Sequence, residues 1–115
     1  MNYLRPYEPY IPQEIGELRD LIGSFMLASP KFEDTSGYFP GQNIDTTFYA
    51  LTEGLKNLRK KLGEDRYIAL MDIGARMRAH FEADPEDQTG ETMRGRELIC
   101  EMQDILQSRR KGGIA

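Results

Sequence analysis

Apolar residues recur at intervals of three and four along most of the chain, which is the spacing of helices that bury one face. The pattern predicts four helices, at residues 12–27, 45–62, 64–83 and 91–111, preceded by an extended arm at residues 1–11. The second helix has the clearest stripe, formed by Phe48, Leu51, Leu55, Leu58 and Leu62. We therefore expect an all-α protein, a compact four-helix domain with an irregular N-terminal arm.

Residues with known preferences for helix ends support these boundaries. Pro12 suits a first helical position, where its missing N–H costs nothing, and Asp45 is a favourable N-cap residue. Gly63 is well placed to follow the last turn of the second helix, and Gly112-Gly113 to stop the fourth. Because only Gly63 separates the second and third helices, we expect these two helices to be antiparallel neighbours.

The remaining helices have broader apolar faces. The first is predicted to bury Ile15, Leu18, Ile22, Phe25 and Met26. The third is predicted to bury Tyr67, Leu70, Gly74, Met77 and Phe81, with Ile68, Met71 and Ala75 widening the face. The fourth is predicted to bury Met93, Leu98, Ile99, Met102, Ile105 and Leu106. Relative to alanine, glycine costs about 1 kcal/mol of stability in an exposed helix interior. Because Gly74 lies on the apolar stripe, its presence indicates that another helix approaches closely there. The whole chain, residues 1–115, is predicted to be one domain.

A long connection without helical periodicity joins the first two helices, at residues 29–45. Connections of this length are uncommon unless they are functional or mobile. It contains three aromatic residues, Phe32, Tyr38 and Phe39. Either these aromatics fold back and cover the end of the bundle, or one or two of them project as anchors for a partner protein.

Composition and charge indicate a cytoplasmic protein. The chain has 115 residues, a net charge of −4 and a single cysteine, so an internal disulfide is excluded. No apolar run approaches the length of a membrane helix, and the N-terminus lacks the pattern of a secretory signal. The negative net charge argues against nucleic acid as a general partner.

Catalytic, cofactor and metal motifs are not found, so we predict that the chain is not an enzyme. His80 and Cys100 are the single histidine and the single cysteine, and nothing in their spacing brings them together. We expect His80 to make a local hydrogen bond and Cys100 to be a small buried or boundary hydrophobe. The stretch starting at Asp84 resembles a calcium loop in its alternating acids, but its glycine comes one place late and its twelfth residue is Gly95. The Asp84-Pro85 pair is better explained as a tight turn between helices.

The charged residues lie in two blocks. Around the predicted second turn are five basic residues: Lys56, Arg59, Lys60, Lys61 and Arg66. The stretch 82–91 has five acids and no base: Glu82, Asp84, Glu86, Asp87 and Glu91. Each block is explained as a solvated helix end, but dipole complementarity accounts for only part of the acidic one. A concentrated acidic patch is also what a binder of a basic protein presents.

The run at residues 39–106 resembles small bacterial immunity proteins, the partners of contact-dependent growth inhibition toxins. The resemblance is carried by the stretches "LRKKLGEDRY", "FEADPED" and "GRELICEM". It implies a role and no particular fold: such a protein binds its cognate toxin and blocks the active site or a nearby surface. Toxins of this kind are often nucleases with basic clefts. No toxin-contacting motif is shared within the group, so no binding residue is carried over.

The leading hypothesis is therefore a small cytoplasmic protein-binding domain, an immunity-type inhibitor that neutralises a cognate bacterial toxin. On physical grounds the partner-binding residues are predicted to be Phe32, Tyr38, Phe39, Glu82, Asp84, Glu86 and Asp87. A second hypothesis is a self-associating structural protein, a homodimer formed through the wide apolar face of the third helix or through the aromatic loop. A third is nucleic-acid binding through the basic segment 56–66.

Overall fold

The computed structural model describes residues 8–33 and 41–108, and within them the protein is built from helices alone. In chain order these are α1 (Ile15–Ala28), α2 (Ile44–Asn57), α3 (Arg59–Leu62), α4 (Glu64–Ala83) and α5 (Glu91–Gln107). The all-α prediction is confirmed. α4 and α5 form the central antiparallel pair, and α1 packs along α5 while α2 packs along α4.

The first two helices begin at different residues from those predicted. Pro12 precedes α1 and is buried, and its ring packs so closely against Gly54 of α2 that a Cβ there would lie 3.0 Å from it. The proline thus attaches the N-terminal segment to α2 and does not start a helix. Asn43, not Asp45, caps α2: its side chain accepts a hydrogen bond from the Thr46 N–H at 3.0 Å, and the Thr46 hydroxyl accepts one from the Asn43 N–H. This reciprocal pair satisfies two N–H groups that a helix start leaves open.

The predicted second helix is divided in two at Leu58. Its φ of −103° and ψ of 8° interrupt the helix, but the Leu58 N–H still bonds to Gly54 O and the Leu62 N–H to Leu58 O. The chain therefore continues past the break, and both leucines stay buried. Gly63 then takes a φ of 84°, a conformation that favours glycine, and the turn into α4 is made by this one residue.

Glycines on the inner faces let α4 approach both α2 and α5 closely. A Cβ on Gly74 would lie 3.3 Å from the Leu51 side chain of α2, which confirms the predicted close approach. A Cβ on Gly95 would lie 2.5 Å from the Phe81 ring, so α5 approaches α4 more closely than any side chain at this position allows. The predicted bounds of α4 are confirmed, whereas α5 ends at Gln107, earlier than predicted. Residues 109–111 lie outside the described residues.

The core confirms the central stripes and corrects their edges. Every residue of the α2–α3 stripe is buried, as are the five residues of the predicted α4 stripe. Four residues predicted for the core face solvent instead: Met26, Ile68, Ala75 and Met93. They lie at the margins of their stripes. The position of the neighbouring helix decides whether such a residue is covered. Residues outside the predicted stripes are also buried, among them Ala50, Ile73 and Thr92.

Candidate protein-binding surfaces

Phe32 belongs to the core and has no exposed surface. Its ring makes edge contacts with Phe25 of α1, Phe48 of α2 and Phe81 of α4, at centroid distances of 5.2, 5.4 and 5.3 Å. Its backbone has a φ of 59°, which is costly for a bulky residue and persists only where packing imposes it. The prediction that Phe32 is a partner anchor is corrected: it folds back and closes the end of the bundle. Tyr38 and Phe39 lie outside the described residues.

Asp84 organises the turn between α4 and α5 and offers almost no surface, being 2% exposed. One carboxylate oxygen accepts the N–H groups of Gln88 at 2.7 Å and Thr89 at 3.2 Å, and the other accepts the Thr92 N–H at 3.0 Å. The Thr92 hydroxyl donates in turn to the Asp84 carbonyl at 2.8 Å. The carboxylate therefore caps α5 from outside the helix, and its predicted role in partner binding is corrected to a structural one.

These hydrogen bonds determine the protonation of Asp84. Burial raises the pKa of a carboxyl group, but here the three N–H donors and the Thr92 hydroxyl outweigh it and lower the pKa to about 2, from an ordinary value of 3.8. The group is thus a permanent anion at neutral pH.

The other acids of the 82–91 segment are exposed, except for the half-buried Glu91, and each has a cationic partner within the chain. Glu86 pairs with Lys31 at 3.2 Å, Asp87 with Arg96 at 3.3 Å, and Glu91 with Arg94 at 3.2 Å. Arg96 also donates to the Ser29 hydroxyl and carbonyl, which ties the turn to the end of α1. The acidic block is therefore partly neutralised, and much of its charge connects the turn to neighbouring elements.

The basic block is likewise used within the fold. Lys56 pairs with Glu53, and Arg59 pairs with Glu64 and stacks over the Tyr67 ring. Arg66 donates to the Leu62 carbonyl at 2.8 Å and to the Ser108 carbonyl at 3.0 Å, so it joins the ends of α3 and α5. These contacts occupy three of the five cations through which nucleic acid was hypothesised to bind.

The single histidine lies on α4 and the single cysteine on α5. The His80 imidazole lies 2.7 Å from a carboxylate oxygen of Glu91, a local contact between α4 and α5 of the kind expected. Cys100 is exposed on α5, contrary to the prediction of a buried or boundary position. Among residues 8–33 and 41–108, no three His, Cys, Asp or Glu side chains converge in a way that would hold a metal ion.

A groove lies between α2 and α4, and Met71 and Ala75 of the predicted wide face of α4 form part of its lining. It encloses about 470 Å³. Tyr49 stands on one wall with 56% of its surface exposed, facing away from the core beside the buried Phe48. Tyr49 lies outside the stripe of α2, so periodicity alone gives no signal for its role.

One end of this groove carries excess negative charge. Arg78 of α4 lies between two carboxylates, that of Glu82 at 3.0 Å and that of Asp45 at the start of α2. Partial burial lowers the pKa of Arg78, but the hydrogen bonds that Arg78 donates to both carboxylates outweigh it and raise the pKa above its ordinary value. Two acids therefore share one guanidinium. Of the predicted acidic residues, Glu82 is connected to the groove through Arg78, which lines it, and does not line the groove itself.

No family model, no curated protein and no solved structure matches this chain. In the part of the chain that the structure describes, none of the helices combines the length and the apolar character that crossing a membrane requires.

Proposed function

We propose that the chain is a small cytoplasmic protein-binding domain and not an enzyme, and that it acts as an immunity-type inhibitor of a bacterial toxin. Its binding surface is the groove between α2 and α4, with Tyr49 as the anchor and Asp45 and Glu82 as the acidic end. The observation that carries the proposal is the meeting of an exposed aromatic groove with two carboxylates that share one cation.

The apolar part of the groove supports binding to a protein. Tyrosine is among the residues that contribute most to interface energies, because its ring buries a large area and loses little conformational freedom. Methionine adapts its shape to a partner surface. Tyr49 of α2 and Met71 of α4 both line the groove, and their side chains are exposed and half-buried respectively. A partner side chain that enters the groove would therefore remove apolar area from water.

The charged end supports a basic partner. Asp45 and Glu82 remain exposed while they contact Arg78, and exposed ion pairs hold their partners weakly, by about 0–1 kcal/mol. A lysine or arginine of a partner would find a second carboxylate that Arg78 does not neutralise. Such charge complementarity accelerates association and selects the partner. The resemblance to immunity proteins implies a toxin, often a nuclease, as partner, and the basic cleft of a nuclease presents lysine and arginine side chains of this kind.

The proposal also includes two predicted acidic residues that form ion pairs outside the groove, Glu86 and Asp87. Glu86 and Asp87 lie on the turn beyond Glu82 and remain exposed. Their participation in binding stays a prediction, in which they extend the acidic end toward a large basic surface. Their partners Lys31 and Arg96 reduce the expected contribution of each.

The test is affinity capture from bacterial lysate with the purified chain, followed by mass spectrometry. The first bait is the wild type, and the second carries Tyr49→Ser, Asp45→Lys and Glu82→Lys. A matched control carries Tyr10→Ser, Glu101→Lys and Asp104→Lys, which makes the same changes at exposed residues away from the groove. Each captured protein is then expressed in cells with and without this chain.

The expected result is one basic protein that the wild type and the control capture and the groove variant loses. Its expression should stop growth, and co-expression of this chain should restore growth. The inhibitor proposal fails if the captured protein is harmless to cells, or if this chain leaves its toxicity unchanged. The assignment of the groove fails if the variant protects as well as the wild type.

A further inference from the structure

Leu27, in the last turn of α1, is the most exposed large apolar residue in the described part of the chain, with 96% of its surface in contact with solvent. Singly exposed apolar residues are ordinary in proteins. Leu27, however, lies beside Met26 of the same helix and Met93 of α5, which is 54% exposed. Because α1 packs antiparallel to α5, these side chains converge on one face, which we call the α1–α5 face.

A shallow depression adjoins the projecting leucine. Its volume is about 500 Å³, and it is lined by Met26, Leu27, Met93, Arg96, Glu97 and Cys100. A projecting apolar side chain and a recess of apolar and sulfur-containing residues therefore lie side by side. A surface with both features can complement a copy of itself, since a two-fold axis places each projection in the recess of the other chain.

The charges on α5 have the same self-complementary arrangement. Arg94 and Glu97 are exposed, opposite in sign and one turn apart, and Arg94 pairs with Glu91, on its N-terminal side. When two copies of α5 run antiparallel across an axis between these residues, Arg94 of each copy meets Glu97 of the other. The axis would also bring the two apolar clusters together.

We propose that a second copy of this chain binds the α1–α5 face, with each Leu27 inserted into the depression of the partner. The surface is small, so the dimer belongs to the weak class of interfaces, with a dissociation constant of about 10–100 µM. This face differs from the α4 face of the earlier homodimer hypothesis, and a dimer through it leaves the groove between α2 and α4 accessible. It is independent of the proposed inhibitor function.

The test is sedimentation equilibrium of the full chain from about 5 to 500 µM, a range that brackets the expected constant. The wild type should approach twice the mass of one chain. Leu27→Lys should weaken the dimer at least tenfold, and the control Ile68→Lys, the same kind of change at an exposed residue of α4, should leave it unchanged. Arg94→Glu and Glu97→Arg should each weaken it, and the double variant should restore it.

Cys100 gives a second readout without any substitution. Because it lines the depression, its alkylation by N-ethylmaleimide should slow at least threefold as the wild-type concentration passes through the dissociation constant. In Leu27→Lys the rate should not depend on concentration.

A wild type that stays monomeric at the highest concentration overturns the proposal. So does a dimer that survives Leu27→Lys, or a double charge variant that dissociates further than either single variant. A monomeric chain whose Leu27→Lys variant loses a captured protein assigns the face to that protein instead.

Discussion

Phe48 and Tyr49 are neighbours on α2, yet they belong to regions that are organised in opposite ways. On the side of Phe48, Phe32 closes the end of the bundle against three other aromatic rings, and the nearby turn satisfies its own polar groups through Asp84. On the side of Tyr49, the groove between α2 and α4 leaves aromatic and thioether surface in contact with water. We call these the closed end and the open groove.

The difference shows that a conspicuous sequence is a poor guide to the available surface. The aromatics of the loop and the acids of the turn stand out in the sequence, but at Phe32 and Asp84 the fold uses them internally. The open groove is built from a tyrosine, a methionine and an alanine that carry no motif. A binding surface consists of groups that the fold leaves exposed to solvent. The packing of the helices decides which groups these are.

The test with the largest expected effect on stability is the truncation of one aromatic side chain in each region. Phe32→Ala should lower the free energy of unfolding by about 3–5 kcal/mol, since it removes a fully buried ring and leaves a cavity. Tyr49→Ala should lower it by less than about 1 kcal/mol, because the residue is largely exposed. Urea unfolding of both variants measures this. Equal losses would mean that Tyr49 also belongs to the core.

Overpacking of the closed end should have the next largest effect. Gly95→Ala places a Cβ within 2.5 Å of the Phe81 ring, so we expect a loss of about 1–3 kcal/mol in the free energy of unfolding. Gly16→Ala is the matched control, since the added Cβ would meet no atom of another element within 4 Å, and it should be neutral or slightly stabilising. If Gly95→Ala is tolerated as well as Gly16→Ala in thermal melts, the contact between α4 and α5 is looser than described.

The capping role of Asp84 predicts a particular dependence on pH. Its pKa in the folded protein is about 2, below the ordinary 3.8, so its contribution to stability is complete above about pH 4 and is lost as pH falls toward 2. Asp84→Asn keeps the acceptor for Gln88 and Thr89 but turns an NH₂ group toward the Thr92 N–H. The variant should be less stable at pH 7, and the difference should shrink between about pH 4 and 2. Urea unfolding across this range measures it, and a constant difference would contradict the cap.

Removing a single exposed ion pair should have the smallest effect. Glu86→Ala breaks the pair with Lys31, in which both side chains are about half exposed or more, and should change the free energy of unfolding by less than about 0.5 kcal/mol. A double-mutant cycle with Lys31→Ala isolates the coupling. A coupling above about 1 kcal/mol would place Glu86 in the closed end with Asp84 and not on a surface available to a partner.

The sequence alone was sufficient for the helical class and for the inner stripes. The bounds of α4 and the burial of the stripe from Phe48 to Leu62 follow from three-and-four spacing, because a face that is apolar over several turns must be covered by another element. The single-residue link at Gly63 followed from the conformational freedom of glycine. These are local properties, which the identities of neighbouring residues determine.

Only the tertiary structure decided what happens at the margins of those stripes. Met26 and Met93 have the correct spacing for the core, yet they are exposed because α1 and α5 meet along other residues. Phe32 has no periodicity at all, yet it is buried because three helices converge on it. Whether a marginal side chain is covered depends on crossing angles and on residues distant in sequence, and chain periodicity contains neither. The groove at Tyr49 and the face at Leu27 arise from this global packing.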